Sequence, residues 1–265
     1  MSNNESPRSK LRGIWTMQNY LEDLPQGTGN SCPSMIRVEN LNKFFGDKEN
    51  RVQVLKDINL EIQKGEFLVI LGESGGGKST LLNIIGGLDS ASSGSVIWGD
   101  TDISKLSEKM LTEFRRKHMG FVFQHYNLIP TLTTIENIEV AAELTSSPLN
   151  SEELILKVGL AGKENSFPAK LSGGEQQRVS ICRALSKNPD VIFCDEPTGA
   201  LDFETGLKIL ELLVEMNTEY RKTIVLITHN QPIAEIASRF IRVRSGRIIE
   251  IKENDNRKKP RDLAW

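Results

Sequence analysis

Short apolar runs alternate with helix-compatible stretches along most of the chain. The runs at 66–71, 120–123, 191–194 and 223–227 are largely apolar at successive positions. Such runs are typical of strands that are buried on both faces of a parallel sheet. A helix is predicted at Ser79–Gly86, directly after the first run and a glycine-rich turn. Strands that alternate with helices predict an α/β fold in which helices cover both faces of the sheet.

Two stretches depart from this alternation. Val52–Gln63 mixes β-forming and polar residues, which predicts antiparallel strands ahead of the parallel core. Thr131–Leu171 contains no pattern of a buried strand and is mostly helix-compatible. We therefore predict a mixed or mainly parallel sheet, with an antiparallel β-subdomain before it and an inserted helical subdomain at about 131–171.

The two ends of the chain differ from the regular part at 35–250. Residues 1–34 are polar and dotted with Ser, Asn and Gly, but several apolar residues fall near helical spacing. This extension is either a short amphipathic helix that docks on a partner or a membrane, or a loosely held terminus. Residues 251–265 are charged and predict a solvated tail.

Composition narrows the possible classes of protein. The 265 residues are 38% hydrophobic, 26% charged and 6% aromatic, which excludes collagen-like, disulfide-scaffold and wholly disordered chains. The formal net charge of −2 gives no basic footprint, so we expect no direct nucleic-acid partner. Three scattered cysteines predict reduced thiols in a cytosolic protein. No apolar run approaches the ~18 residues of a membrane span, so we expect membrane association only through a partner.

A phosphate-binding motif follows the first apolar run. The pattern G-x-x-x-x-G-K-[ST] requires glycines so that successive backbone N–H groups can surround an anion, and a helix N-terminus adds its positive dipole end. In such a loop the lysine contacts the β- and γ-phosphates, and the hydroxyl after it can bind Mg²⁺. The matching residues, together with the residue that follows them, are Gly72, Glu73, Ser74, Gly75, Gly76, Gly77, Lys78, Ser79 and Thr80. We call Gly72–Ser79 the phosphate loop.

Two adjacent carboxylates follow the apolar run at 191–194. Asp195 and Glu196 are therefore predicted at the carboxyl end of a buried strand, where ligands bind in open α/β sheets. Alternation along a strand points neighbouring side chains in different directions. Asp195 is thus predicted to hold Mg²⁺, while Glu196 orients or deprotonates the attacking water.

The segment Leu171–Arg178, LSGGEQQR, resembles the signature motif of ATP-binding cassette (ABC) ATPases. Further residues resemble the other motifs of this family, in the family's order. They are Phe45 for the aromatic A-loop residue, Gln124 for the Q-loop glutamine, Ala200–Asp202 for the D-loop, and His229 for the switch histidine. The resemblance covers about residues 35–250.

The resemblance implies a P-loop NTPase with a RecA-like core that binds ATP and Mg²⁺. It also implies that two cassettes pair head to tail, as a homodimer or with a second cassette, with ATP sandwiched between them. The signature segment of one chain, defined here as Ser172, Gly173, Gly174 and Glu175, would then face the γ-phosphate bound by Lys78 of the other. We expect the helix after this segment to begin at about Glu175, so that its N-terminus contributes a second anion site.

The resemblance also implies the role of each site residue. Glu196 would be the catalytic base and His229 would contact the γ-phosphate, with Lys78 and Gln124 completing the catalytic set. Ser79, Gln124 and Asp195 would surround Mg²⁺, Phe45 would stack on adenine, and Asp202 would contact the nucleotide site. Glu73 and Gly76 stand where the family more often has Pro and Ser, and Phe45 stands where Tyr is more frequent.

Two segments narrow the resemblance to one branch. Gly86–Asp89 and the stretch from Arg115 to Thr133 resemble the macrolide-export and lipoprotein-release branch. This implies a peripheral ATPase at the cytoplasmic face of the cell membrane that powers a separate transmembrane permease subunit.

Two alternatives to a transporter subunit are a non-transport ABC ATPase and a nucleotide-binding regulatory module. The single cassette, without a long heptad coil or a large basic patch, disfavours the first. The intact set of Lys78, Asp195, Glu196 and His229 disfavours the second.

Overall fold

The computed structural model describes residues 34–47 and 50–264, so the predicted N-terminal helix lies outside the described residues. The strands are β1 (Ser34–Phe45), β2 (Val52–Gln63), β3 (Phe67–Leu71), β4 (Ser93–Trp98), β5 (Thr101–Asp102), β6 (Met119–Val122), β7 (Val191–Asp195), β8 (Thr223–Thr228), β9 (Arg239–Arg244) and β10 (Arg247–Glu253). The α-helices are α1 (Lys78–Ile85), α2 (Glu108–His118), α3 (Thr134–Ala142), α4 (Ser151–Lys157), α5 (Gly173–Ser186) and α6 (Phe203–Thr218). Within the described ranges, no helix has the length and apolar character that crossing a membrane requires.

A six-stranded sheet in the order β10-β9-β3-β8-β7-β6 forms the centre of the fold. All neighbouring pairs are parallel except the edge pair β9 and β10. Alternate residues of β3 join different cores: Phe67 and Val69 pack with the helices α5 and α6 on one face, while Leu68 and Ile70 pack on the other. The predicted α/β fold with a sheet buried on both faces is confirmed.

A second, four-stranded sheet in the order β2-β1-β4-β5 is antiparallel throughout. Its apolar side chains, such as Ile36 and Leu60, share one core with α1 and with the second face of the six-stranded sheet. This antiparallel β-subdomain flanks the parallel core, but only β1 and β2 precede that core in the chain, since β4 and β5 follow α1. It brings the start of β2 against the phosphate loop, since a Cβ at Gly77 would lie 3.0 Å from the carbonyl oxygen of Val54.

The stretch from 131 to 171 contains α3, α4 and a short 3-10 turn at Pro168–Lys170, with no strand among its residues. A capping box between Thr133 and Glu136 starts α3. The buried side chain of Asn137 bonds the backbone of Ile129 as both donor and acceptor, and so ties the preceding loop to this helix. Helix α3 then packs on α5.

The C-terminal segment differs from the solvated tail predicted from residue 251. Strand β10 continues to Glu253, and Pro260 and Leu263 are buried. The guanidinium of Arg257 donates to the carbonyl of Ile236, in the 3-10 turn after β8. The prediction rested on average charge, whereas a few apolar residues and backbone-directed donors suffice to hold this segment on the core.

Candidate active site

The phosphate loop joins the carboxyl end of β3 to the N-terminus of α1. Gly77 is the N-cap of α1 and has φ +98°, a left-handed conformation that favours glycine. A Cβ at Gly72 would overlap the carbonyl oxygen of Val243 in β9, so the loop passes too close to that strand for any other residue. These two glycines fix the loop over the helix N-terminus, where backbone N–H groups attract anions.

Lys78 lies buried at the base of this loop. Its Nζ donates to the carbonyl oxygen of Glu73 at 2.9 Å, and the backbone N–H of Gly76 donates to the same oxygen at 3.1 Å. The ammonium group is therefore held inside the curve of the loop by a neutral acceptor. A phosphate oxygen carries negative charge and would be the stronger partner.

Asp195 faces the first turn of α1. The hydroxyl of Ser79 donates to Asp195 Oδ1 at 3.3 Å. Burial raises the pKa of the Asp195 carboxyl, the bond from Ser79 opposes that rise, and the nearby charge of Glu196 adds to it. A bound cation would favour the ionised carboxylate, and oxygen ligands of this kind suit Mg²⁺.

Glu196 has different partners from Asp195. Its Oε2 accepts a hydrogen bond from the Thr228 hydroxyl at 3.0 Å, and its Oε1 lies 2.9 Å from His229 Nδ1. The Glu196 side chain is 14% exposed, while that of His229 is 67% exposed. The two predicted catalytic residues are therefore in direct contact beside the carboxyl ends of β7 and β8.

Gln124 follows β6 and reaches the loop after Glu196. A Cβ at Gly199 would lie 3.2 Å from Gln124 Nε2 and 3.4 Å from the Cβ of Glu196. Parallel strands end at the same edge of a sheet, and this brings Gln124, Asp195 and Glu196 to one place although about 70 residues separate the first from the others.

Phe45 ends β1, and its side chain is 45% exposed. The Lys43 ammonium lies 4.7 Å from the ring centroid and is itself fixed by Asp89 at 2.7 Å. The contact with Lys43 leaves much of the ring open, as a stacking platform requires.

The signature segment caps α5. This helix begins at Gly173 rather than at the predicted Glu175, because Ser172 is its N-cap. The Ser172 hydroxyl accepts the N–H of Glu175 at 3.3 Å, and the Glu175 carboxylate accepts the N–H of Ser172 at 2.7 Å. This second bond lowers the pKa of Glu175. The two glycines therefore stand in the first turn, where their N–H groups lack partners within the helix.

Asp202 lies beside this segment. Its carboxylate caps α6 by accepting the N–H of Thr205 at 3.0 Å, and a Cβ at Gly174 would overlap the Thr205 methyl group. No hydrogen bond or ion pair between described residues joins the signature segment to the phosphate loop. One chain thus brings together the phosphate loop, Asp195, Glu196, Gln124 and His229, and it carries Ser172–Glu175 and Asp202 in a separate group.

Two residues of the site were not predicted. Thr228 holds Glu196, and Lys43 lies against Phe45. Thr228 directly precedes His229, so its position at the end of a buried strand was the available signal. No sequence signal indicated Lys43, since a lysine two residues before an aromatic residue is common in a β-strand. Among the residues described, no group of three or more His, Cys, Asp or Glu side chains is placed to hold a metal ion.

Comparisons with known proteins identify the family of this chain. Residues 55–199 match the family model described as ABC transporter. The chain is 43% identical over 234 residues to a putative ABC transporter ATP-binding protein, the MG065 homolog of Mycoplasma pneumoniae, covering 87% of this chain and 50% of that protein. It is 45% identical over 222 residues to the macrolide export ATP-binding/permease protein MacB of Mannheimia succiniciproducens, covering 82% of this chain and 34% of that protein.

A solved structure is also similar. The dimeric post-hydrolysis state of the ATP-binding cassette MJ0796, bound to ADP and Pi, is 40% identical with a TM-score of 0.76, covering 83% of this chain and 98% of that one. This chain spans half the length of the first relative and about a third of the second.

Proposed function

The chain belongs to the ABC transporter family, and we propose that it binds ATP and hydrolyses it as the ATP-binding subunit of a transporter. The ATPase domain is residues 35–250, with a helical subdomain at about 131–171. The observation that carries hydrolysis is the arrangement around Asp195 and Glu196. A carboxylate that contacts the Ser79 hydroxyl stands next to one that contacts His229, below the phosphate loop.

Each residue has one task in this proposal. The N–H groups of the phosphate loop and of Thr80 bind the phosphates, and Lys78 exchanges its bond to the Glu73 carbonyl for phosphate oxygens. Glu196 accepts the proton of the attacking water. His229 leaves Glu196 and contacts the γ-phosphate, a movement that its high exposure allows.

Ser79, Asp195 and Gln124 would hold Mg²⁺. The hydroxyl and the carboxylate already face each other, and the Gln124 amide reaches the loop beside them. When bound, the ion neutralises charge that develops on the phosphates. Burial raises the pKa of Asp195, and a cation held beside this carboxylate would favour its ionised form.

Two chains complete each site in this proposal. The signature segment and Asp202 lie apart from the phosphate loop of the same chain, so they serve the loop of a second copy or of a paired cassette, head to tail. In support, the N–H groups of Gly173 and Gly174 begin a helix at a polar cap. ATP then links the two chains, and its hydrolysis removes the γ-phosphate that both chains contact.

The partner of this dimer is a separate transmembrane permease subunit, which places the ATPase at the cytoplasmic face of the membrane. In support of a permease partner, the relative MacB is named as an ATP-binding/permease protein. The macrolide-export and lipoprotein-release branch remains the branch we propose.

Substitution of Glu196 by Gln tests the catalytic assignment. The variant keeps the shape of the side chain and one acceptor oxygen but cannot accept a proton at neutral pH. We expect ATP binding to be retained, hydrolysis to fall by at least ~100-fold, and the protein to accumulate as a dimer with ATP and Mg²⁺. Lys78→Ala should instead weaken ATP binding itself. Turnover of Glu196→Gln at the wild-type rate would remove Glu196 from this role.

A further inference from the structure

Thr228, the last residue of β8, holds one oxygen of the Glu196 carboxylate. Its hydroxyl donates to Glu196 Oε2 at 3.0 Å and accepts the backbone N–H of Asn230 at 3.1 Å. A hydroxyl has a single proton to donate, and a carboxylate oxygen is an acceptor. Thr228 is 1% exposed, so water does not compete for that proton. The bond from Thr228 to Glu196 therefore has one direction.

The other carboxylate oxygen has a partner of a different kind. Oε1 lies 2.9 Å from Nδ1 of the largely exposed His229. In the proposed reaction His229 turns to the γ-phosphate, which frees Oε1 to receive a proton. Oε2 keeps its buried partner throughout, because Thr228 is fixed in the sheet between β3 and β7.

The backbone of Glu196 has an uncommon conformation. Its φ is +47°, in the left-handed region that few non-glycine residues occupy. The backbone N–H bonds the carbonyl of Ile227, and its carbonyl accepts the N–H of Gly199, each at 3.0 Å. A strained backbone of this kind persists where the surroundings determine it, and a side chain held at one oxygen is part of those surroundings.

We propose that Thr228 is a positioning residue for ATP hydrolysis. It anchors Oε2 of Glu196, so that Oε1 alone faces the attacking water and the carboxylate cannot rotate away when His229 leaves. The inference rests on the proposed function, because it assigns Thr228 a role only through Glu196. A fixed Glu196 carboxylate presents the same oxygen to the water in every turnover. Loss of this orientation slows the chemical step without weakening nucleotide binding.

Thr228→Val tests this in the full chain, because it removes the donor and keeps the branched shape. We expect kcat for ATP hydrolysis to fall roughly tenfold, with KM for ATP changed by less than about twofold. Thr228→Ser restores the hydroxyl and should recover most of kcat. A wild-type kcat in Thr228→Val, or a low kcat that serine does not rescue, would overturn the proposal.

Thr223→Val is the matched control, at the other end of the same strand. The Thr223 hydroxyl is also fully buried, accepts the N–H of Gly65 at 2.9 Å and donates to the Met35 Sδ at 3.4 Å. Each variant loses one bond that its hydroxyl accepts from a backbone N–H and one that its hydroxyl donates, so we expect falls in melting temperature of similar order. Only the variant at 228 should lose turnover. Equal losses of kcat at 223 and 228 would assign the effect to the fold and refute the positioning role.

The double variant separates this inference from the proposed function. In a Glu196→Gln background, Thr228→Val should cause no further fall in the residual rate, since the base through which Thr228 acts is already gone. A further tenfold fall would contradict the positioning role. If Glu196→Gln alone keeps the wild-type rate, the proposed base is wrong. If it loses activity while Thr228→Val does not, only the inference about Thr228 fails.

Discussion

Replacing Phe45 by Ala is expected to weaken ATP binding without unfolding the protein. The ring stands at the end of β1 with the Lys43 ammonium 4.7 Å from its centroid, and it is 45% exposed. A base can therefore stack on the exposed part of the ring, while the Lys43 contact helps to hold the ring in place. Alanine removes the stacking surface and leaves the phosphate loop unchanged.

The size of the effect follows from the geometry. Stacking of a base on an aromatic side chain contributes about 1–3 kcal/mol on alanine substitution. A phenyl ring with one usable face belongs near the lower end of that range, so we expect Kd for ATP to rise about tenfold, which corresponds to about 1.4 kcal/mol. The half-exposed ring contributes little to folding, and the free energy of unfolding should fall by less than about 1.5 kcal/mol.

Calorimetric titration with ATP and with GTP measures this directly. The affinity for both nucleotides should fall by similar factors, because every base has a face that can stack. Phe167→Ala is the matched control, since that ring is 44% exposed and lies in the helical stretch. Phe45→Tyr should bind ATP as the wild type does. An unchanged Kd in Phe45→Ala, or an equal loss in Phe167→Ala, would refute the stacking role.

Three further substitutions test the surroundings of the site. Gly174→Ala should lower the free energy of unfolding by about 1–3 kcal/mol, because its Cβ overlaps the Thr205 methyl group, and Thr205→Ser should restore the loss in a melting experiment. Asp195→Asn should raise the melting temperature at pH 8 without Mg²⁺. Burial raises the pKa of Asp195, so the ionised carboxylate destabilises the folded protein once the pH rises through the folded-state pKa. The gain in melting temperature should therefore vanish below pH 3.8, where the carboxyl is protonated in both the folded and the unfolded chain. Glu175→Gln should lower stability by about 0.5–1 kcal/mol at pH 7 in urea unfolding. Because the capping bond lowers the Glu175 pKa, that difference should disappear as the pH falls through the folded-state pKa.

The parallel core was predictable because its strands are continuously apolar. Strands β3 and β8 are buried at every position, and short, continuously apolar runs are typical of strands covered on both faces of a sheet. The phosphate loop was predictable for a related reason: its glycines are set by local backbone geometry, such as φ +98° at Gly77. Patterns that depend on neighbours in sequence can be found from sequence.

Features that depend on contacts across the fold were not predicted. Strands β9 and β10 mix charged and apolar residues, and their pairing depends on β3. Leu263 is buried because the chain returns to the core near α6. The average charge of residues 251–265 gives no sign of this contact. The bond from Thr228 to Glu196 joins residues 32 positions apart at adjacent strand ends. The sequence places Thr228 at the end of a strand but does not show which residue its hydroxyl contacts.

A complementation experiment tests most directly that each active site is shared between two chains. Lys78→Ala disables the phosphate loop, while Ser172→Asp keeps a good N-cap for α5 and places a negative charge where the γ-phosphate of the other chain is expected. Each variant alone should be inactive. In a head-to-tail dimer, an equal mixture forms heterodimers with one intact site, and about a quarter of the wild-type ATPase activity should return. A mixture as inactive as its components, although the two chains are shown to form heterodimers, would contradict the shared site.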